Sequence, residues 1–598
     1  MKCQQRRRRG LRKTLIAALA TAAAVLAFAA PARAVQATAA TLYSLPSTTA
    51  CTKAHTNCVL YPKAAALPDG RLVAAFEDST VQSSGSAAGQ TIPIYKSDDN
   101  GATWQYLTGV KAPAYASSNS AYAKYVSNWT NPYLYVLPQA VGSLAAGTLM
   151  MASVVSGDDY YYLDQVAANG SYTPTHDGDR SNTAIALYAS TDNGADWTFE
   201  NIIATGTWSN GLSYPATEDT YHENDPVWEP YLMVYDNELV AYYSDENDYT
   251  GYNTTTGVPT LDPNNNTTPD ADTQILDHRT WDGVSSDAWS GPVVDVSGTT
   301  ITNSSGYSEI GGGRPGMTNV VETSDGEWMM TFEYWGGGDN VRYKISSNPL
   351  DFYAVGGTAG TGISSLPVTS GSAALAQGGS PVLLRLPNGR ILFNAAGSGA
   401  VWTNAGGSST GSWTEQQTTM SSAYSRSLTY VPATGRVEII GGTTTISYAD
   451  IDFGNSVGAY YRLVNENSGK SLGVLGANLL DGTDAVQWTT NTSTDQLWHV
   501  TSLGNGYDTL LDENSGRALG IWQAGTASGA AAVQWVQNAS YDQQWQLIAV
   551  GSYYELLNRN SGLALTVSGS STSDGAQAVQ QAYTGATSQL WSLTEVSS

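Results

Sequence analysis

Two glutamates, Glu229 and Glu333, stand in stretches that otherwise carry apolar and aromatic side chains. Glu229 lies in "VWEPYLMVYDNELVAYYSDEND" (residues 227 to 248), and Glu333 lies in "TFEYWGGG" (331 to 338). Apolar surroundings disfavour the charged form of a carboxyl and raise its pKa, whereas a nearby cation such as Arg314 lowers it. Two carboxyls whose pKa values are made to differ in this way suit glycoside hydrolysis. In that reaction one carboxyl protonates the leaving oxygen and the other attacks or activates water.

The two glutamates occupy equivalent ends of successive predicted hairpins. In an antiparallel hairpin the first strand begins where the second strand ends, opposite the turn. Glu229 opens one hairpin that Asp245 closes, and Arg314 opens the next, which Glu333 closes. We therefore expect a polar mouth on an apolar scaffold, with Glu229 and Glu333 as the catalytic pair.

Four further residues are predicted to hold a sugar at this mouth. The charged side chains of Arg314 and Asp245 can each form two hydrogen bonds to sugar hydroxyls. The aromatic faces of Trp228 and Tyr334 can stack on a sugar ring.

Six pairs of apolar strands turn at small or polar dipeptides, and they predict a six-bladed β-propeller. Asn-Gly and Asp-Gly between β-forming residues are strong hairpin signals. The six turns are Asp69-Gly70, Ala146-Gly147, Asp236-Asn237, Asp325-Gly326, Asn388-Gly389 and Thr434-Gly435. Blades of a propeller converge on a central pocket, which is where the polar mouth should lie.

Two segments fit the S-x-D-x-G-x-x-W pattern known as the Asp box of sialidase-type propellers. They are "SDDNGATW" (97 to 104) and "STDNGADW" (190 to 197). In this turn the Asp accepts hydrogen bonds from backbone N–H groups, the Gly takes a positive φ, and the Trp packs between strands. The motif is structural, so it indicates the architecture and not the reaction.

The C-terminal part of the chain repeats with a period of 46 to 47 residues. Gln496-Leu497-Trp498, Gln543-Gln544-Trp545 and Gln589-Leu590-Trp591 recur at these intervals, as do Gln487, Gln534 and Gln580. A third marker has the same period: Asn467-Ser468-Gly469, Asn514-Ser515-Gly516 and Asn560-Ser561-Gly562. Three markers with one period indicate three copies of a single unit. Residues 456 to 598 thus resemble the ricin-B-type β-trefoil, also called carbohydrate-binding module family 13.

This resemblance implies sugar binding, but one expected residue is replaced. The family usually has an Asp where this chain has Gly473, Gly520 and Thr566, whereas Asp495 and Asp542 stand where the family often has Asn. Two readings stay open. Asp495 and Asp542 take over part of the binding role, or the trefoil is a spacer that binds nothing.

The first 34 residues have the parts of an export signal. A basic start is followed by the apolar run Leu15 to Ala30 and by Ala32-Arg33-Ala34, a small-residue cleavage site. An arginine pair leaves both the general and the twin-arginine route open. We expect a secreted, extracellular, monomeric protein.

The charge of the mature chain disfavours nucleic acid and anionic membranes as partners. Removing residues 1–34 leaves 19 basic against 52 acidic side chains, a net charge of about −33. The mature chain has no apolar run of the roughly 18 residues that span a bilayer. Cys51 and Cys58 remain in it, and they are expected to form one local disulfide.

Three segments of the propeller resemble glycoside hydrolase family 93, the exo-α-1,5-L-arabinanases. These segments are "VWEPYLMVYDNELVAYYSDEND", "GPVVDV" (291 to 296) and "RPGMTNVVETSDGEWMMTFEYWGGG" (314 to 338). The resemblance implies a six-bladed sialidase-like propeller that releases arabinobiose from linear arabinan with retention of configuration. It also places the two catalytic glutamates at Glu229 and Glu333.

One departure from that family is a long Asn/Thr/Asp/Pro-rich segment at about 249 to 275. An insertion beside the mouth could lengthen a substrate wall or change which glycan fits.

Other functions fit the sequence less well. A sialidase needs an arginine triad and an early F/Y-R-I-P motif, and this chain has "YPKA" at 61 to 64. A non-catalytic protein in which both domains only bind glycans is the alternative from another class. His222-Glu223 lacks the second His of a zinc site, so we expect no cofactor and no catalytic metal. Calcium in the acidic insertion is the remaining metal hypothesis.

The predicted architecture is therefore all-β. It comprises a signal peptide (1–34), a six-bladed propeller (35–455) and a β-trefoil (456–598), and the expected ligand is a plant polysaccharide of the arabinan type.

Overall fold

The structure is a computed structural model. It describes residues 39–47, 59–79, 89–156, 183–206, 226–262, 273–284, 289–302, 304, 306–371, 375, 378–451, 453, 460–502, 507–538 and 540–596. The predicted signal peptide, the predicted Cys51–Cys58 disulfide and residues 263–272 of the insertion lie outside the described residues.

Six sheets in the N-terminal part each contain four antiparallel strands, and each of these sheets is one blade. The first three blades are β2 to β5 (Val59–Ala66, Leu72–Asp78, Ile92–Ser97, Gln105–Val110), β6 to β9 (Ser127–Val136, Leu149–Ser156, Ala184–Ser190, Thr198–Thr205) and β10, β11, β14 and β15 (Val227–Tyr235, Glu238–Asp245, Ile275–Trp281, Val293–Val296).

The fourth and fifth blades continue the series. They are β18 to β21 (Gly316–Glu322, Trp328–Glu333, Val341–Ser346, Thr361–Gly362) and β23 to β26 (Val382–Arg385, Ile391–Asn394, Val401–Asn404, Trp413–Gln416), with β22 (Val368–Ser370) added parallel to β26.

The sixth blade joins the two ends of the propeller chain. It contains β27 to β29 (Arg426–Val431, Arg436–Gly441, Thr445–Ile451), and its outer strand is β1 (Ala40–Ser44), which pairs antiparallel with β29. A strand from the start of the chain thereby completes the last blade, which closes the ring and covers the edge of β29.

All six predicted turns connect the two innermost strands of a blade. The third is a two-residue hairpin in which Asp236 and Asn237 both have positive φ, 51° and 67°. The twist of a turn with this conformation matches the right-handed twist of the two strands that it joins. The structure therefore confirms the six-bladed propeller.

The two S-x-D-x-G-x-x-W turns connect outer strands at the end opposite the mouth. In the first, Asp99 accepts a hydrogen bond from Thr103 N (2.9 Å), and Gly101 has a φ of 92°. In the second, Asp192 accepts from Asp196 N (2.9 Å) and Gly194 has a φ of 86°. These contacts match the expected structural role.

Two extra hairpins emerge at the mouth end of the third blade. The first, β12 and β13 (Tyr249–Tyr252, Pro259–Leu261), is built by the insertion; the second is β16 and β17 (Thr299–Thr302, Ser308–Gly312). They pack on one another through an apolar cluster of Tyr249, Ile275, Val294 and Ile310.

The C-terminal part is a β-trefoil of three four-stranded repeats. The strands are β30 to β33 (Tyr460–Asn465, Ser471–Val474, Ala485–Trp488, Trp498–Ser502), β34 to β37 (Asp508–Asp512, Ala518–Ile521, Ala532–Trp535, Trp545–Val550) and β38 to β41 (Tyr553–Asn558, Ala564–Val567, Ala576–Gln581, Trp591–Val596).

The repeated tryptophans form the trefoil core. Trp498, Trp545 and Trp591 are fully buried. Each indole N–H donates to a leucine carbonyl 26 residues earlier, at 3.0, 2.8 and 3.1 Å. Equal hydrogen bonds in all three repeats show that the pseudo-threefold symmetry of the sequence is kept in the fold.

Helical structure in the described residues is short. It consists of Pro113–Ala116 and of 3-10 turns at Ser120–Tyr122, Phe352–Ala354, Ile363–Ser365, Leu475–Ala477, Thr494–Gln496, Trp522–Ala524, Tyr541–Gln543, Ser568–Ser570 and Thr587–Gln589. Across the described residues there is no helix long and apolar enough to cross a membrane.

Candidate active site

Glu229 leaves the plane of its blade because the inner strand begins with a β-bulge. The pairing of β10 with β11 shifts between Trp228 and Tyr231, and Glu229 has a φ of 57°. A bulge re-aims one side chain, and Pro230 keeps the preceding residue out of the right-handed helical region. These features turn the Glu229 carboxyl from the blade towards the central mouth.

A positive φ recurs at or near the start of the innermost strand in every blade. A non-glycine residue with positive φ stands there in each of the other five blades: Tyr61 (53°), Asn131 (48°), Met317 (49°), Ser380 (44°) and Ser425 (58°). Proline follows this residue in four of the six blades. The repeated X-Pro dipeptide was thus a sequence signal for the mouth that the hairpin argument missed.

One oxygen of Glu229 is fixed by two donors. Its Oε2 accepts hydrogen bonds from Ser244 Oγ (2.8 Å) and from the backbone N–H of Met317 (2.8 Å). Its Oε1 accepts no hydrogen bond from the described part of the chain, so it is available to a ligand.

Glu333 ends strand β19 and is held by three donors. Trp335 Nε1 donates to Oε1 (2.7 Å), and the backbone N–H of Ser380 donates to Oε2 (2.7 Å). Tyr424 OH donates to the same carboxylate, at 3.2 Å from Oε2. Only 7% of Glu333 is exposed, so these contacts replace water around a nearly buried acid.

The two carboxyls are joined through Met317. Gly316, which precedes it, pairs with Glu333 in the sheet, and the Met317 N–H holds Glu229. Tyr424, which donates to Glu333, also lies 3.1 Å from Met317 Sδ. The two carboxyls therefore lie on either side of Met317, close enough for the charge of Glu333 to act on Glu229.

Burial raises the pKa of both carboxyls. Burial, followed by the charge of Glu333, raises the pKa of Glu229 to about 7, against the opposing hydrogen bonds of Ser244 and Met317. Burial also raises the pKa of Glu333, while its hydrogen bonds and Arg314 act in the opposite direction. Two such carboxyls titrate as a unit, so over a range of pH the pair holds a single proton.

Arg314 and Trp228 meet at a residue that the sequence did not single out. The Arg314 guanidinium donates to both oxygens of Glu246 (2.6 and 3.2 Å) and to Gln274 Oε1 (3.1 Å). Trp228 Nε1 donates to Glu246 Oε1 (2.8 Å). Glu246 thus anchors two predicted sugar-binding residues beside the pair, and the Arg314 side chain remains about a third exposed.

Asp245 and Tyr334 lie away from the pair, unlike the other predicted residues. Asp245 is 2% exposed and accepts from Asn247 N (2.9 Å) and Tyr249 OH (3.0 Å). It points to the opposite face of β11 from Ser244, because side chains alternate along a strand. Asp245 therefore braces the base of the inserted hairpin instead of facing Glu229.

The aromatic residue exposed at the mouth is Trp335 and not Tyr334. Tyr334 is 2% exposed, and its ring lies 4.0 Å from the Arg342 guanidinium carbon. Trp335 is half exposed while its N–H holds Glu333. Sequence alone could not choose between these neighbours, since the chain leaves the sheet there and strand alternation no longer applies.

Lys63 and Tyr61 complete the opposite wall of the mouth. Lys63 Nζ donates to the Arg426 carbonyl (2.9 Å), and burial lowers its pKa to about 8. Burial, together with the charges of Glu229, Glu77 and Glu333, raises the pKa of Tyr61 well above its usual value. Its ring meets that of Tyr424 edge to face, with centroids 6.1 Å apart.

The described residues contain no group of three or more His, Cys, Asp or Glu side chains placed to hold a metal ion. Of the acidic residues in the insertion, Asp248 and Asp262 are described and buried, whereas Asp270 and Asp272 lie outside the described residues.

The fold and site define a class: a six-bladed propeller with paired carboxyls in its mouth, followed by a ricin-type β-trefoil. Residues 450–535 and 541–598 match the family model "Ricin-type beta-trefoil lectin domain-like". The same region is similar to ThreeFoil, a designed threefold-symmetric protein, with 40% identity over 23% of this chain and 99% of that chain and a TM-score of 0.23. A search of curated proteins found no match.

The chain resembles glycoside hydrolase family 93 over its propeller. It is similar to the family 93 α-L-arabinofuranosidase of Fusarium graminearum in complex with arabinobiose, with 24% identity over 70% of this chain and 98% of that chain and a TM-score of 0.49. It is also similar to the Penicillium chrysogenum α-L-arabinanase complexed with arabinobiose, with 26% identity over 71% and 99% of the two chains and a TM-score of 0.48.

Proposed function

We propose that this protein is a secreted, retaining exo-glycosidase that releases arabinobiose from α-1,5-linked arabinan. The observation that carries the proposal is the pair itself: Glu229 and Glu333 lie close enough for their charges to interact, and each is held by donors from the protein. The substrate rests on the resemblance of the motifs around both glutamates to the exo-α-1,5-L-arabinanases.

The singly protonated pair provides both functions that retention needs. The ionised carboxylate attacks the anomeric carbon as the protonated carboxyl gives its proton to the departing glycosidic oxygen, so one C–O bond forms while another breaks. Water then attacks the same anomeric carbon, and the bond between that carbon and the first carboxylate breaks. The carboxylate that had given up its proton takes a proton from this water, which restores the starting state of the pair. Glu229 is held by hydrogen bonds from Ser244 and Met317. Glu333 is held by hydrogen bonds from Trp335 and Ser380. These contacts fix the positions of the two carboxyls.

Electrostatics in the mouth maintain one charge and one proton on the pair. Arg314 favours the ionised form of both carboxyls, whereas burial and their mutual repulsion disfavour double ionisation. Because Glu246 already neutralises much of the Arg314 charge, Arg314 moderates the pair without forcing both groups to ionise.

The two extra hairpins support an exo mode of action. Tyr249 begins the first hairpin four residues after Asp245, and Gly312 ends the second just before Arg314. Their shared apolar cluster makes them one wall on one side of the mouth. A wall on one side turns an open groove into a closed pocket. A closed pocket favours attack at the end of a polysaccharide chain. The half-exposed indole of Trp335 offers a stacking surface beside the pair.

The proposal is tested by product analysis with linear arabinan. The mature chain should release a disaccharide, and Glu229→Gln and Glu333→Gln should each lower kcat by about 10²–10⁴-fold, because glutamine keeps the shape but cannot exchange a proton or attack. Glu322→Gln is a matched control. Glu322 is exposed and lies on the β18–β19 hairpin that also carries Glu333, at the end away from the mouth.

Two outcomes would contradict the proposal. Full activity in either glutamine variant would remove that residue from the catalytic pair. Failure of the wild type on arabinan, with turnover of another polysaccharide that both variants lose, would keep the pair and replace the substrate.

A further inference from the structure

A short length of chain connects the propeller to the trefoil, and it starts on the face of the propeller opposite the mouth, here called the underside. Strand β29 runs from the mouth end to the underside, and Phe453, two residues after it, is buried in the core of the last two blades. Residues 454 to 459 separate Phe453 from Tyr460, where the trefoil begins. Because seven residue steps span at most about 25 Å, the trefoil lies close to the underside.

One turn of the second trefoil repeat contacts two blades of the propeller. Arg517 donates a hydrogen bond from Nη1 to the carbonyl of Pro68 (2.9 Å), in the underside turn between β2 and β3 of the first blade. A Cβ on Gly516 would stand 3.6 Å from Pro432 Cβ, in the underside turn between β27 and β28 of the sixth blade. Two successive residues of the trefoil therefore touch the first and the last blade of the ring.

The equivalent turns of the other two repeats provide an internal reference. Gly469 and Gly562 both have a φ of 67°, close to the 68° of Gly516. Among the described atoms, none lies within 4 Å of a Cβ on Gly469 or on Gly562. Both of these glycines are exposed, whereas Gly516 is half-buried. Since the backbone conformation is the same in all three repeats, the difference in burial comes from the propeller.

The guanidinium of Arg517 serves both domains at once. Its Nε donates to Asp481 Oδ1 (2.5 Å) within the trefoil, which leaves Nη1 for the carbonyl of Pro68. In the first repeat Lys470 occupies the same position and pairs with Asp574 (2.7 Å), the counterpart of Asp481. The side chain of Lys470 is 19% exposed and that of Arg517 is 6% exposed. The several N–H groups of an arginine can bond two acceptors in fixed directions, whereas a lysine presents one ammonium.

The turn of the first blade that accepts this hydrogen bond is itself held in place by the propeller. Arg71 Nε donates to Asp98 Oδ1 (2.7 Å), and Asn193 Nδ2 of the second blade donates to Asp69 Oδ2 (2.6 Å). An acceptor whose position is fixed also fixes the direction of its donor. The contact of Arg517 therefore favours one orientation of the trefoil on the underside.

The two blades that the trefoil touches are the first and the last of the ring, and they meet side by side. The Ala64 N–H donates to Ser427 Oγ (3.0 Å), and Thr429 Oγ1 donates to the Ala64 carbonyl (3.1 Å). In the described residues these blades are separate sheets, so side chains and not a strand ladder hold the boundary between them. A contact that spans both underside turns adds to this boundary.

We propose that the second trefoil repeat docks on the underside of the propeller and holds the first and sixth blades together. The partner of this trefoil surface is the propeller of the same chain. The short connection keeps the trefoil at an effective concentration on the order of millimolar, so a small contact area suffices for docking. The trefoil thereby stabilises the closed ring, a role that goes beyond the proposed hydrolysis and does not rest on it.

Disulfide trapping in the full mature chain tests the docking. A separation of 3.6 Å between Cβ atoms suits a disulfide, so Pro432→Cys/Gly516→Cys should become linked on air oxidation. Pro432→Cys/Gly469→Cys is the matched control, because Gly469 has the same backbone conformation and no described atom within 4 Å of its Cβ position. Mass spectrometry of non-reduced peptides should find a link between positions 432 and 516 and none between 432 and 469.

Hydrogen exchange tests whether docking holds the two blades together. Arg517→Lys keeps the charge but removes the hydrogen bond to the first blade. The amides of Gly70 and Gly435, which close the two contacted turns, should then exchange about 3- to 10-fold faster. The amide of Gly389 closes the equivalent turn of the fifth blade and serves as the internal reference. Lys470→Arg, the reverse exchange in the first repeat, should leave all three amides unchanged.

Two results would overturn the inference. A folded Pro432→Cys/Gly516→Cys chain without the link, or with no more of it than the control, would show that the trefoil is not docked there. Equal exchange at Gly70 and Gly435 in Arg517→Lys and in the parent would show that docking does not hold the blades together. Circular dichroism verifies that each variant is folded. Neither measurement depends on turnover, so a failure of the proposed hydrolysis is seen separately.

Discussion

At the scale of single residues, the shared proton of Glu229 and Glu333 should govern the pH dependence of hydrolysis. The profile of kcat/KM should be bell-shaped, because the pair is inactive when it holds two protons or none. The pKa of Glu229 is raised to about 7. Activity should therefore fall as pH rises through about 7, where the last proton leaves. A profile that stays flat from pH 5 to pH 9 would contradict this account.

The hydroxyl of Tyr424 should set the position of one limb of that profile. It donates to Glu333 and so lowers the pKa of that carboxyl. Tyr424→Phe removes the donor, so one limb should move to higher pH by up to about one unit. The acidic limb moves if Glu333 is the nucleophile, and the alkaline limb moves if it is the acid. Movement of neither limb would show that this hydrogen bond does not tune the pair.

At the scale of elements, the inserted hairpin should restrict attack to chain ends. Shortening β12 and β13 by replacing residues 250–260 with two glycines removes the outer part of the wall beside the mouth. Products longer than a disaccharide should then appear early in chromatograms of arabinan digests. Turnover of a small aryl arabinoside should persist, because the pair is untouched. Disaccharide as the sole early product would contradict a role of this wall in the exo mode.

Hairpin turns were the part of the fold that the sequence predicted best. Turn types depend on one or two residues, such as Asp236 and Asn237 with their positive φ, so a local pattern suffices to place six blades. The directions of side chains at strand ends were harder to predict. The bulge at Glu229 and the departure of the chain from the sheet after Glu333 decide those directions, and both depend on contacts with other blades.

The consequence is visible at neighbouring positions. Strand logic placed Glu229 and Glu333 at the mouth correctly, but it could not tell Tyr334 from Trp335 or Asp245 from Glu246. Tyr424 and Ser380 reach Glu333 from other blades, and no local motif marks them.

At the scale of the whole molecule, the N-terminal strand should stabilise the propeller. β1 supplies the outer strand of the sixth blade and packs Leu42 against Ile446 and Phe76. A mature chain starting at residue 46 loses this closure, exposes the edge of β29 and should unfold at a clearly lower temperature in calorimetry. The transition of the trefoil should move less, because β1 pairs with β29 of the propeller and with no trefoil strand. An unchanged propeller Tm would show that ring closure contributes little.

The most direct test of the central claim is the configuration of the first product. Wild-type chain is mixed with linear arabinan, and the anomeric protons of the released disaccharide are followed by NMR before mutarotation. Arabinobiose should be released as the α-anomer, the retained configuration, which corresponds to carboxyls about 5–5.5 Å apart. Initial release of the β-anomer would contradict attack by one of the two glutamates, and it would mean that water displaces the leaving group directly.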